Sequence, residues 1–213
     1  MNIKSLIQKG EGEQLDFKNK ISGFEKIAKT LVAFANHKGG RLLVGVADDG
    51  QIKGVKNEEE DQYMLERAAS AYCRPPVAIS FAEYSVDDKS VLVAEIPESD
   101  VKPHYARSEN NSWWVYIRVA DESILAGKVV VDVLRRQHDP QGVLINYSDK
   151  ERELLTYFQT NSRPRLLELC KHLRLSRRKT QRLLADLILA GIVAVKHDGA
   201  GEYFIEKTVT EPA

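Results

Sequence analysis

FEKIAKTLVAFANHKGGRLLVGVADDGQIKGV, residues 24–55, carries two hydrophobic periods in succession. Ile27, Leu31, Phe34 and Ala35 recur at three- to four-residue spacing, which predicts an amphipathic helix, and Gly39-Gly40 follows where a left-handed cap costs little. The pattern then switches to a short apolar strand, Leu42 to Val46, an Asp-Asp-Gly turn and a second strand over Ile52 to Val55, the signature of a β-hairpin. A helix running directly into sheet sets an α+β expectation for the surrounding chain.

Working outward, EQLDFKNK (13–20) alternates Leu15 and Phe17 with Asp16 and Lys18 as an edge strand would. Asp16 and Lys18 read either as the edge of a polynucleotide site or as a surface ion pair, and the first reading is preferred. A second helix is expected over Glu60 to Tyr72, ended by Pro75-Pro76. The acidic run Glu58 to Asp61 suits its N-terminus, where the helix dipole favours negative charge. It would also repel a polynucleotide. VAISFAEYSVDDKSVLVAEIP (77–97) gives two strands about Asp87-Asp88, WWVYIRVA (113–120) one strand after the polar SENNS, and Val129 to Arg136 a further helix.

The composition bounds the function classes. The 213 residues are 43% hydrophobic, enough for one large domain or two small ones. No apolar run approaches the roughly 20 residues that span a bilayer, and the start shows no secretory pattern, so a cytoplasmic protein without membrane contact is expected. Cys73 and Cys170 lie far apart in apolar surroundings, as reduced, packed thiols do. Lys+Arg and Asp+Glu both number 31, so any nucleic-acid affinity must come from a local patch.

HDPQGVLINYSDKE (138–151) breaks the pattern, and the expected organisation is a first domain over 1–138, a linker over 139–147 and a second domain over 148–213. Ser148 and Glu151 form a capping box ahead of a helix with Leu154, Leu155 and Phe158 on one face. A second helix is expected over Pro164 to Leu173, and Ser176 caps a third, RRKTQRLLADLILAG. After Gly191 two short strands are joined by DGAG, with His197-Asp198-Gly199 at the tip. Three helices and a terminal hairpin follow the order of a winged helix-turn-helix.

With Leu183, Leu184, Leu187 and Ile188 toward a core, the third helix would turn Arg178, Gln181, Arg182 and Ala185 outward, with Arg177 and Lys179 at its start. Between Arg163 and Arg182 eight Lys/Arg face Glu168 alone, a net of about +7 on a neutral chain. In a helix-turn-helix such a face enters the major groove, where Arg reads guanine, Gln reads adenine and flanking cations hold phosphates. Arg177, Arg178, Lys179, Gln181 and Arg182 are therefore candidate contacts to double-stranded DNA, with Lys196 on the wing. The alternative is a solvated face in a protein-interaction module.

Taken together, Glu11 to Lys18, A-F-A-N-x-x-G-G at Ala33 to Gly40, G-V-x-D-D-G at Gly45 to Gly50, I-x-G-V at Ile52 to Val55 and the later KPHYARSENNSWWVYIRVADES resemble the Schlafen AlbA-type (divergent AAA-type) domain family over residues 1 to about 137. Ala120 stands where the family usually has Gly, and His37 where many members have Thr. The resemblance implies a mixed sheet with helices and, for bacterial members, a nucleic-acid-binding or transcriptional-regulator role, commonly with a helix-turn-helix behind; such regulators are often homodimers. Lys18 is placed to meet a phosphate. Some animal Schlafen proteins are metal-dependent RNA endonucleases, and their three carboxylates fall here on Glu11, Asp16 and Asp48. That implies an alternative, a tRNA- or rRNA-cleaving nuclease in which these three are both catalytic and ligands for Mg²⁺ or Mn²⁺. For the binder no cofactor is expected, and the binder is preferred to the enzyme.

Other signals are weaker. No G-x4-G-K-[ST] occurs, so ATP is not supported. Five histidines (37, 104, 138, 172, 197) show no metal-ligand spacing. Trp113-Trp114 could stack bases or place one ring in the core and one at an edge.

Overall fold

The computed structural model describes residues 1–139, 142 and 147–207; most of the expected linker and the last six residues of the second domain lie outside them. The chain divides into two compact units, Met1–Ala126 and Gly127–Ala213. The division falls before the Val129–Arg136 helix, which the sequence reading grouped with the first domain.

The first unit opens with α1 (Ile3–Lys9), β1 (Leu15–Lys18), α2 (Phe24–Asn36) and β2 (Gly40–Val44). It continues with α3 (Glu58–Ala71), β3 (Cys73–Arg74), β4 (Ser80–Val86), β5 (Lys89–Ile96), β6 (Tyr105–Arg107), β7 (Trp113–Trp114), β8 (Tyr116–Val119) and β9 (Glu122–Leu125). The main sheet has the order β1-β2-β5-β4, with β1 parallel to β2 and at the edge. Both inner strands are covered on both faces. Leu42, Val44, Leu92, Ala94 and Ile96 pack with α2 and α3, whereas Leu43, Val91 and Val93 pack with Ile3, Leu15 and Phe17 on the α1 side. This explains why these strands read as continuous apolar runs, since a strand buried on both faces has no polar alternation.

Gly39 and Gly40 hold the junction between α2 and the sheet. Gly39 sits at φ +69° and donates to Phe34 O, and a Cβ on Gly40 would lie 2.4 Å from the Phe34 ring. Only glycine lets β2 pass under that aromatic. The expected hairpin shrinks to a single bridge, Val46 to Ile52, because Lys53 and Gly54 both return their N–H to Gly45 O and Val55 bonds Ser90 O. α3 begins two residues early, capped by Asn57, whose side chain accepts from Glu60 N. The 113–120 run is two strands: β7 pairs β6 while β8 pairs β9. Burial pushes the Cys73 thiol up to about 12, as befits a packed, reduced cysteine.

The second unit comprises α4 (Lys128–Arg136), α5 (Asp149–Thr160), α6 (Leu166–Leu173), α7 (Arg177–Leu189) and the antiparallel pair β10 (Val193–Asp198) and β11 (Gly201–Glu206). The Ser148/Glu151 capping box is present. α6 starts at Leu166 because Arg165 is extended at its N-cap and Pro164 O accepts from Phe204 N, tying the helix entrance to the hairpin. Its core gathers Leu154, Phe158, Leu169, Leu173, Leu184, Leu187 and Phe204, with Val129 of α4 among them. Among the described residues no helix is long and apolar enough to cross a membrane.

Candidate nucleic-acid interface

Asp16, on β1, points to the face opposite Leu15 and Phe17. Its Oδ1 accepts from Arg118 Nη1 at 3.2 Å and its Oδ2 lies 2.6 Å from Lys18 Nζ. The Lys18 contact is an ion pair without hydrogen-bond alignment, so Oδ2 has no directed donor among the described residues. Arg118, from β8, has its side chain 1% exposed. It also donates to Gly12 O, Leu15 O and Ser123 Oγ and lies over the Phe34 ring. The Lys18 ammonium is turned back to Phe17 O, 2.8 Å away. The structure thus has the ion pair, with Arg118 as a third member that the short-range sequence pattern could not supply: it lies 102 residues from Asp16.

Glu11 is half-buried and accepts from Phe17 N at 2.7 Å. Burial raises its carboxyl above the ordinary value, and the Asp16 and Asp48 charges add to this against the pull of the Phe17 N–H and Lys18. The three carboxylates therefore sense one another across the edge of the sheet. They do not make a ligand set as placed: Asp16 already faces two cations, Asp48 is exposed on its turn, and among the described residues no group of three His, Cys, Asp or Glu is arranged to hold a metal ion. This donor arrangement does not fit Mg²⁺ or Mn²⁺.

The remaining candidates lie in the second unit. Arg177, Arg178, Lys179 and Arg182 are exposed at the start of α7, none with a side-chain hydrogen bond or ion pair among the described residues. Ser176 caps the helix by accepting from Lys179 N. Lys196 is exposed on β10 opposite Tyr203, whose ring Arg163 covers. The hairpin turns at Gly199-Ala200, so His197 and Asp198 belong to the strand, and Asp198 is held by Arg165 at 2.6 Å.

Two outward assignments on α7 are corrected. Ala185 is fully buried, and Gln181 is half-buried with its Nε2 enclosed and lacking a partner among the described residues. The cause is α4, which packs along α7 and ties to it through Arg136 and Asp186. Between the two helices runs a groove of about 390 Å³ lined by Lys128, Val131, Asp132 and Arg135 opposite Arg178, Gln181 and Arg182. Helical periodicity gave α7 one buried face; α4, some 50 residues earlier, supplies a second.

Residues 11–127 match the family described as Schlafen, AlbA_2. The chain belongs to that Schlafen AlbA_2 family. The matched span of this AlbA_2 protein includes Glu11, Asp16, Lys18 and Arg118. Among curated proteins none matches the chain. Of solved structures, the N-terminal domain of a RecG-related protein from Nitrosomonas europaea is 23% identical, covering 51% of this chain and 82% of that one at a TM-score of 0.42. The DIP2311 protein from Corynebacterium diphtheriae is 18% identical over 91% of this chain and 34% of that one, at a TM-score of 0.50. This second likeness is one of fold, and it extends into both units of the AlbA_2 protein.

Proposed function

We propose that the chain is a nucleic-acid-binding protein, a DNA-binding regulator acting in the cytoplasm, whose second unit is a winged helix-turn-helix. The observation that carries this reading is the first turn of α7, where Arg177, Arg178, Lys179 and the following Arg182 stand exposed with no ion pair among the described residues. Cations so placed are the means by which a helix meets phosphates and base edges in a major groove. The order α5, α6, α7 and hairpin, with Phe204 bonded to Pro164 O between the first two helices, supports the winged-helix reading. Lys196 on the hairpin is the flanking phosphate contact. Family membership supports a nucleic-acid role through the resemblance drawn from the sequence.

The test is to incubate the full chain with labelled duplex DNA and with tRNA, in Mn²⁺ or in EDTA, on native and denaturing gels. A shift of intact duplex that weakens steeply with salt is expected. Absence of any shift at low salt, or metal-dependent fragments, overturns the reading, the latter in favour of the nuclease.

A further inference from the structure

The first unit has a groove of about 370 Å³ that neither the carboxylates nor α7 touches. Its walls come from the start of α2 (Lys26, Lys29), the 108–112 loop (Asn110) and the strands β7 and β8 (Trp114, Tyr116). Trp114 is 46% exposed, an unusual cost for the largest apolar side chain. Its backbone is nonetheless tied into the sheet. β7 pairs β6 through Ala106 and Trp114, and its neighbour Trp113 is directed elsewhere, under the Arg74 guanidinium. The loop beside it is built, too: Ser108 N bonds Ser112 O, Ser108 Oγ bonds Asn110, and Arg107 Nε bonds Asn111 Oδ1 at 2.9 Å. Tyr116 O accepts from the buried Asn36 side chain, which fixes β8.

The groove thus presents an exposed indole carried on a paired strand, and a tyrosine ring with the Lys29 ammonium 5.6 Å above it. Glu25 and Glu109 at the same groove balance Lys26 and Lys29, so its attraction is not one of net charge. That favours a ligand with a flat π-face and polar edges over a bare anion. A volume near 370 Å³ is the size of a small-ligand cleft and accommodates one base with its sugar and phosphate. We propose that this groove receives one unpaired base of a single-stranded nucleic acid, stacked on Trp114, with the Asn110 and Glu109 side chains at the base edge and Lys26 toward the flanking phosphate. The paired strand and hydrogen-bonded loop mean that little backbone order has to be acquired on binding.

The site is built wholly from residues of the first unit, and α7 contributes none of its walls. The test uses the full chain and a fluorescein-labelled eight-nucleotide oligo(dT), read by anisotropy and by quenching of tryptophan fluorescence. Trp114→Ala is expected to weaken oligo(dT) binding about tenfold or more while duplex affinity stays the same; Trp114→Phe should keep most of it, because a phenyl ring still stacks. Lys26→Glu, an exposed change that leaves the core alone, should weaken it several-fold. Wild-type protein that fails to bind or quench with oligo(dT), Trp114→Ala that binds it unchanged, or an Arg178→Ala/Arg182→Ala variant that loses oligo(dT) and duplex together would each overturn the proposal.

Discussion

The two units use arginine in opposite ways. In the first, Arg118 is buried, its two terminal nitrogens bonded to Asp16, Ser123 and two backbone carbonyls, and it covers Phe34. In the second, Arg177, Arg178 and Arg182 stand in solvent without side-chain partners among the described residues. A charge with its partners in place is architecture, and its removal is felt as stability. A charge without them is available to a ligand, and its removal is felt as affinity. The contrast teaches that residue type alone does not separate the two roles; the number of satisfied donors does.

The comparison can be broken most forcefully at Arg118. Arg118→Ala leaves Asp16 buried with only the unaligned Lys18 contact, and should destabilise the chain by about 3 kcal/mol or more, since losing one member of a buried pair strands the other. Urea unfolding measures this; a change under about 1 kcal/mol would show that the buried charge network is not structural. At the other pole, Arg178→Ala with Arg182→Ala should reduce duplex affinity at least tenfold and lower the slope of log affinity against log salt by about 2, while stability moves by no more than about 0.5 kcal/mol. Loss of stability instead of affinity would erase the distinction between the units.

Gln181 lies between these poles, because its amide is enclosed beside α4 and its Nε2 lacks a partner among the described residues. Gln181→Leu should stabilise the second unit by up to about 1 kcal/mol, as an unsatisfied buried polar group is replaced by an apolar one of similar size. Duplex affinity of that variant is a sharper gauge: unchanged affinity means that α7 works with α4 in place.

Smaller effects test the first unit alone. Ala120 adopts φ +51° in the turn between β8 and β9, where the Schlafen family pattern has Gly. Ala120→Gly should therefore be neutral to stabilising, by at most about 1 kcal/mol, in thermal unfolding. His104 is buried, with Nδ1 2.8 Å from Pro75 O and Nε2 2.8 Å from Ser99 Oγ, and burial lowers its pKa below the usual 6.5. The unfolded chain then takes up the proton before the folded one does. Stability is retained above pH 6.5 and falls as pH drops from there toward the lower folded value, with His37 adding in the same sense. Urea midpoints at pH 7.5, 6.5 and 5.5 should show this decline, and His104→Gln should reduce it.

The elements that were legible in sequence are those with a local cause. α2 came from its own period, β4 and β5 from Asp87-Asp88, which take φ of 51° and 59° at their turn, and α5 from its capping box. What escaped has a distant cause. Nothing near Asp16 announces Arg118, and nothing within α7 announces that α4 will cover Gln181 and Ala185. The Asp16 and Asp48 charges are felt at Glu11, yet the Asp16 oxygens face an arginine and a lysine and a Glu11 oxygen accepts from a backbone N–H. Family motifs locate positions, whereas ligation depends on which lone pairs remain open.

Val129 of α4 also bears on where this protein can be cut. It is 1% exposed among Leu154, Phe158 and Phe204, and Gly127 N donates to Glu202 on the hairpin. A fragment beginning at Ser148, where the capping box invites the scissors, would carry an open apolar slot along α7 and be prone to self-association. A fragment beginning before Gly127 keeps that slot filled by its own chain, and is the piece to express when the second unit is wanted by itself.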